Sequence, residues 1–87
     1  MQFGGILGLA YPGMAADDFQ PFFDNLMSQH LLAHNLFSFY FTKFPIQESV
    51  VLFGENDPKY YQPPLVYFPV VKQYYWEIEF NDISVNG

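Results

Sequence analysis

The chain has 87 residues, enough for at most one small domain, and it contains no cysteine, so disulfides cannot support its core. Hydrophobic residues make up 51% of the chain and aromatic residues 22%, which is too apolar for a disordered segment. Nine acidic residues stand against three scattered lysines, which argues against a nucleic-acid partner.

The apolar runs are short and are broken by polar residues or proline, so we predict no membrane span. The first five residues carry no basic region and no long apolar region, and we expect no secretory signal there. Eleven phenylalanines and seven tyrosines are more aromatic surface than so short a chain can readily cover. This excess suggests that further parts of the same protein cover it.

The first predicted elements are a glycine-rich segment and a helix. Residues 3–10 form an apolar run with three glycines, which predicts a buried strand or a turn where another backbone approaches closely. Residues 11–13 mark a turn. A helix is then predicted over 20–29, because its apolar positions fall on one helical face: Phe19, Phe22, Phe23, Leu26 and Met27.

Strands are predicted from there onward. Residues 36–42 alternate as a half-buried strand, and 49–53 form a β-branched run that ends at Gly54 before a turn. Residues 65–71 contain Pro69 and are predicted as an edge strand or bulge, and 75–80 alternate with Trp76 on one face. The chain is therefore predicted to be mainly β with one or two short helices.

Residues that could carry chemistry are few. His30 and His34 are spaced as in a helical metal pair, but Leu31 stands where the H-E-x-x-H pattern needs glutamate, so we predict no metal site. None of the five aspartates is followed by Thr-Gly or Ser-Gly, the tight turn with which two-carboxylate peptidases bring two aspartates together. We therefore assign no catalytic residue in this chain and no cofactor.

Six segments nevertheless occur in the order and approximate spacing of the pepsin-like aspartic proteases, peptidase family A1, which includes pepsin and cathepsin D. Together they cover nearly the whole chain, and the resemblance rests on their common register. The region around Phe68 and Trp76 looks closest to plasmepsin-type enzymes. The matching segments are 3–12, 22–29, 36–40, 49–54, 57–61 and 75–78.

The resemblance implies a partial bilobal β fold. Residues 1–57 would be the end of the N-terminal lobe with strands of the interlobe sheet, and 58–87 the start of the C-terminal lobe. Both catalytic Asp-Thr-Gly motifs would lie outside this stretch. The longer protein would hydrolyse peptide bonds in peptide or protein substrates with a water activated by two aspartates, in a secreted or acidic-vesicle setting. This chain would be inactive alone and would need the remaining lobes to fold.

Individual roles follow from matching positions in that family. Phe3 and Ile6 match residues that line the hydrophobic pocket before the scissile bond, and Tyr75 matches a residue on the other side of that bond. Leu7 and Gly8 match the strand behind the first catalytic loop, where a side chain at position 8 would clash. For each substrate-contacting residue, simple core packing is an equal alternative. The family usually has aspartate where Gly4 stands.

A second hypothesis comes from a different class of function. The chain could be a non-catalytic, aromatic-rich β module that binds a peptide or a carbohydrate through exposed tyrosine and tryptophan faces. Catalytic motifs encoded in frame on either side of this sequence would decide between the two.

Overall fold

The computed structural model of the chain describes residues 2–85. They form two compact units, one made of the residues up to Asn25 together with those from Tyr67 onward, the other spanning Leu26–Val66. Phe23, at 7% exposure, is the one hydrophobic side chain that is buried among the described residues. The packed interior is therefore very small, and a lobe boundary after residue 57 stays a prediction.

One α-helix, α1, spans Phe22–Ser28, inside the predicted range of 20–29. Its end is closed by two backbone hydrogen bonds, from His30 N to Met27 O at 3.0 Å and from Leu31 N to Leu26 O at 3.3 Å. This pair of bonds is the Schellman pattern, which requires a left-handed residue just after the helix. His30 takes that role with a φ of 55°.

Two antiparallel strands, β1 (Phe37–Tyr40) and β2 (Val50–Phe53), form the sheet. They confirm the first two predicted strands, whose aromatic and β-branched residues suit a pleated surface. The register pairs Phe37 with Phe53 and Tyr40 with Val50. This two-stranded sheet is small, as expected for a part of a pepsin-like fold.

One face of this hairpin is aromatic and largely open. Phe39 is 51% exposed and Phe41 is 76% exposed, and their rings stack at 5.3 Å. The opposite face is covered, since the Tyr40 ring packs 4.6 Å from the Tyr60 ring. We call the open side the aromatic face, and its members are Phe37, Phe39, Phe41, Val51 and Phe53.

The strands predicted at 65–71 and 75–80 are wrong for this chain, and so is the burial predicted for residues 3–10. Within the described residues, the later region forms a single isolated bridge between Lys72 and Glu77, and Ile6 is 88% exposed. The physical reason is that an alternating sequence pattern describes one strand but does not provide the neighbouring strand with which it must pair. A strand forms only where a second strand accepts its backbone hydrogen bonds.

Candidate functional site

The predicted substrate-contacting residues of the N-terminal segment lie at the surface. Phe3 is 69% exposed and Ile6 is 88% exposed, and Leu7, predicted as support, is half exposed. A Cβ placed on Gly4 or Gly5 would meet no atom within 4 Å. This segment is therefore an open apolar surface in this chain and not a closed pocket.

A turn near the other end of the chain packs against the residues that follow this segment. The indole Nε1–H of Trp76 donates to the carbonyl oxygen of Leu9 at 2.7 Å, and the indole stacks on the Tyr11 ring at 4.5 Å. The Tyr74 ring lies against Gly13, where an added Cβ would stand 3.4 Å from it. Residues 9–13 and the turn are thus joined through aromatic side chains.

The turn itself is fixed by backbone bonds. Val71 N donates to Glu77 O at 2.8 Å, and Tyr75 N donates to Lys72 O at 3.2 Å. Tyr75, the predicted contact on the far side of the scissile bond, sits in this turn with 55% of its surface exposed. The structure therefore brings the segments that carry Phe3, Ile6 and Tyr75 into one compact unit.

From the sequence, Trp76 was expected on a strand face or, in the alternative hypothesis, as an exposed ring that binds a peptide or a carbohydrate. Neither expectation included a positioning role within the chain. The sequence did hold one indication of such a role: the chain has a single tryptophan, and a partly covered indole N–H needs a hydrogen-bond acceptor. Its acceptor lies 67 residues earlier in the chain, which spacing alone could not indicate.

Beside Gly8 the unit has an apolar cavity of about 250 Å³. A Cβ placed on Gly8 would meet no atom within 4 Å, so nothing among the described residues demands glycine there. The cavity is lined by Gly8, Ala10, Tyr11, Met14, Ala15 and Pro21.

The aspartates hold local structural positions. Asp57 accepts a hydrogen bond from Lys59 N at 3.1 Å and caps the short 3₁₀ turn Pro58–Tyr60, and Asp82 accepts one from Ile83 N at 2.8 Å. Asp24 lies in the first turn of α1, and Asp17 and Asp18 have left-handed φ angles of 54° and 59°. In the part of the chain that the structure describes, no recorded hydrogen bond joins two carboxylates.

Charge is otherwise sparse. The pKa of Lys59 is raised, mainly by its electrostatic interaction with Tyr60 and next by that with Asp57. The Lys59 side chain is well exposed, and its Nζ lies 3.6 Å from Asp57 Oδ2. Over residues 2–85, no group of three or more histidine and carboxylate side chains is arranged to hold a metal ion. Among the same residues, no helix has the length and apolar character needed to cross a bilayer.

Comparison with known proteins places this arrangement in a family. The profile described as eukaryotic aspartyl protease matches residues 1–87. The chain belongs to the eukaryotic aspartyl proteases. The predicted resemblance to the pepsin-like enzymes is thereby confirmed, as is the partial β fold that it implied.

Relatives within the family are similar over nearly the whole chain. A pregnancy-associated glycoprotein of Equus caballus is 47% identical over 85 residues, covering 98% of this chain and 22% of the relative. Chymosin of Bos taurus is 42% identical over 86 residues, and cathepsin D of Clupea harengus is 43% identical over 88 residues. Each of these two alignments covers 99% of this chain and 22% of the relative, so the chain spans about a fifth of the proteins it matches.

Proposed function

We propose that this chain is a segment of a pepsin-like aspartic endopeptidase that supplies wall and scaffold to the substrate site but no catalytic carboxylate. The observation that carries the proposal is the match of all 87 residues to the family, at 42% identity to bovine chymosin, across about a fifth of the relative. Peptide or protein substrates belong to the longer protein.

Inactivity of the chain alone follows from the chemistry of the family. Two aspartates must lie close enough to share one proton before a water between them can attack a peptide bond. Here Asp57 and Asp82 each bond to a neighbouring backbone N–H, and Asp24 lies in a helical turn. These are separate structural roles, and none of them prepares a shared proton.

The space beside Gly8 supports the proposal that Gly8 backs the first catalytic loop. An apolar cavity of about 250 Å³ borders a glycine that no described residue crowds. We propose that the first catalytic loop of the longer protein occupies this space, with its backbone close to Gly8. A side chain at position 8 would then displace the loop, although it displaces nothing in this chain.

Exposed apolar surface supports the need for the remaining lobes. Phe3 and Ile6 in one unit, and Phe39 and Phe41 in the other, are all at least half exposed. Exposed apolar surface of this kind normally marks contact with another part of a protein. The outer edges of β1 and β2 meet no further strand among the described residues. Strands of the longer protein would pair there and cover the aromatic face.

A chimera tests the proposal. This chain replaces the matching segment of bovine chymosin, and the acid peptidase activity of the chimera is compared with that of the unchanged host. We expect a pepstatin-sensitive peptidase, because the segment brings the scaffold and the host brings both catalytic motifs. As a control, the segment is inserted with its residues in scrambled order, which should abolish folding. A well-folded chimera without activity would overturn the proposal.

The alternative of a peptide- or carbohydrate-binding module receives less support from the geometry. The Trp76 side chain is 54% exposed, but one face of its indole already stacks on Tyr11 and its N–H donates to Leu9 O. Tyr11 and Trp76 therefore already use one ring face each, and Trp76 also its N–H, in contacts within the chain.

A further inference from the structure

The segment that carries Phe3 and Ile6 has little to hold it in place. Among the described residues, the bond from Trp76 Nε1 to Leu9 O is the one hydrogen bond recorded for residues 2–10. Leu9 is three residues from Ile6, a chain length of at most about 10 Å. The Leu9 carbonyl is therefore the nearest hydrogen-bonded point of attachment for the stretch that carries Ile6 and Phe3.

Trp76 also adjoins the second half of the proposed site. Tyr75 is its neighbour in the turn 72–77, which is closed by the bond from Val71 N to Glu77 O. A single side chain therefore connects the segment of Phe3 and Ile6 with the turn of Tyr75. The connection is geometrically strict, because an indole offers one donor in a fixed direction.

We propose that Trp76 is a positioning residue for the substrate site. Its indole N–H holds the Leu9 carbonyl, and its stacking on Tyr11 fixes the direction of that N–H. The bond thereby sets the spacing between the apolar wall before the scissile bond and Tyr75 beyond it. This inference rests on the proposed function, since it assigns Trp76 a role in the same site.

The two contributions of Trp76 can be separated by substitution. Trp76→Phe keeps an aromatic ring that can stack on Tyr11 but removes the N–H donor to Leu9. Tyr11→Leu keeps the donor and removes the stacking partner. Phe80→Leu is a matched control, because Phe80 lies on the same predicted alternation and is similarly exposed, at 67%, but has no side-chain hydrogen-bonding group.

The test measures KM and kcat of the chymosin chimera at a concentration of active sites fixed by inhibitor titration. Two peptides are compared that differ only in carrying Phe or Ala on both sides of the scissile bond. We expect Trp76→Phe to raise KM for the Phe peptide by roughly three- to tenfold, the size of a typical net hydrogen-bond contribution. The kcat and the KM for the Ala peptide should change much less. Phe80→Leu should change neither.

Each outcome is decisive. Equal changes for the two peptides, or a loss confined to the titrated fraction of active enzyme, would show a scaffold role alone and overturn the inference. If Trp76→Phe fails to fold, Tyr11→Leu carries the test, and an unchanged KM for the Phe peptide would count against positioning. An unsubstituted chimera without activity would overturn the proposed function itself, whereas an active chimera that is insensitive to both substitutions would overturn only the role of Trp76.

Discussion

Replacing Phe39 and Phe41 together by serine should strongly reduce self-association of the isolated chain. The two rings stack on each other on the aromatic face and are 51% and 76% exposed. By contrast, Phe23 is the one hydrophobic side chain that is buried among the described residues. A chain with so small an interior lowers its free energy most by covering this face with a second copy.

The size of the effect follows from the exposed area. An aromatic side chain covers about 200 Å² when fully buried, so the exposed parts of the two rings amount to roughly 250 Å². At about 25 cal/mol per Å², covering them stabilises a complex by up to ~6 kcal/mol per chain, before the entropic cost of association. Even a quarter of that figure corresponds to about a tenfold change in the association constant.

Sedimentation velocity over a range of chain concentrations, with binding of the dye ANS in parallel, measures the effect. The control is the pair Phe3→Ser and Ile46→Ser, whose side chains are even more exposed, at 69% and 92%, but lie outside the aromatic face. The comparison therefore tests whether association uses the continuous surface of the two stacked rings or only the total exposed area. We expect the Phe39 and Phe41 pair to shift association by at least about tenfold and the control pair to shift it much less. A monomeric parent chain with a sharp, cooperative thermal transition would refute the reasoning.

Three further predictions concern single positions and are measured in the chymosin chimera, because the isolated chain is expected to associate. Gly54→Ala should lower the free energy of unfolding by about 1–2 kcal/mol, because Gly54 has a φ of 89°, and Gly4→Ala, with no atom near its Cβ, is the control. His30→Gly should raise the free energy of unfolding by roughly 0.5–1 kcal/mol, since it relieves the left-handed φ of 55° at the end of α1; a loss would contradict the Schellman assignment. Gly8→Val should lower kcat about a hundredfold and Gly4→Val should have a mild effect, and equal effects of the two would mean that the glycines are misaligned with the family.

The sequence predicted the elements whose partners lie within the chain. The helix at Phe22–Ser28 and the strands at Phe37–Tyr40 and Val50–Phe53 could be predicted, because a helix satisfies its own backbone and these two strands satisfy each other. The alternation over 75–80 was equally clear, yet the region forms one bridge from Lys72 to Glu77. A periodic pattern indicates which side chains share a face, but it does not supply the neighbouring strand.

The candidate site was predictable only in part. Phe3, Ile6 and Tyr75 came from matching positions in the family, and the structure gives each an exposed surface position. Trp76 could not be identified in this way, because its role depends on an acceptor at Leu9 that is distant in sequence. Gly13, in the turn predicted at 11–13, packs against Tyr74, so Gly4, which no atom approaches, serves as the control for Gly8.

Cleavage of denatured haemoglobin by the purified 87-residue chain at acidic pH measures whether this chain has peptidase activity of its own. We expect no pepstatin-sensitive cleavage above the buffer blank, while the chymosin chimera that contains the same 87 residues cleaves the substrate. Under the proposed function, the chain supplies scaffold and substrate wall, and the host supplies the two aspartates that share a proton. Pepstatin-sensitive cleavage by the pure chain would contradict the account, because its own carboxylates would then form a catalytic pair.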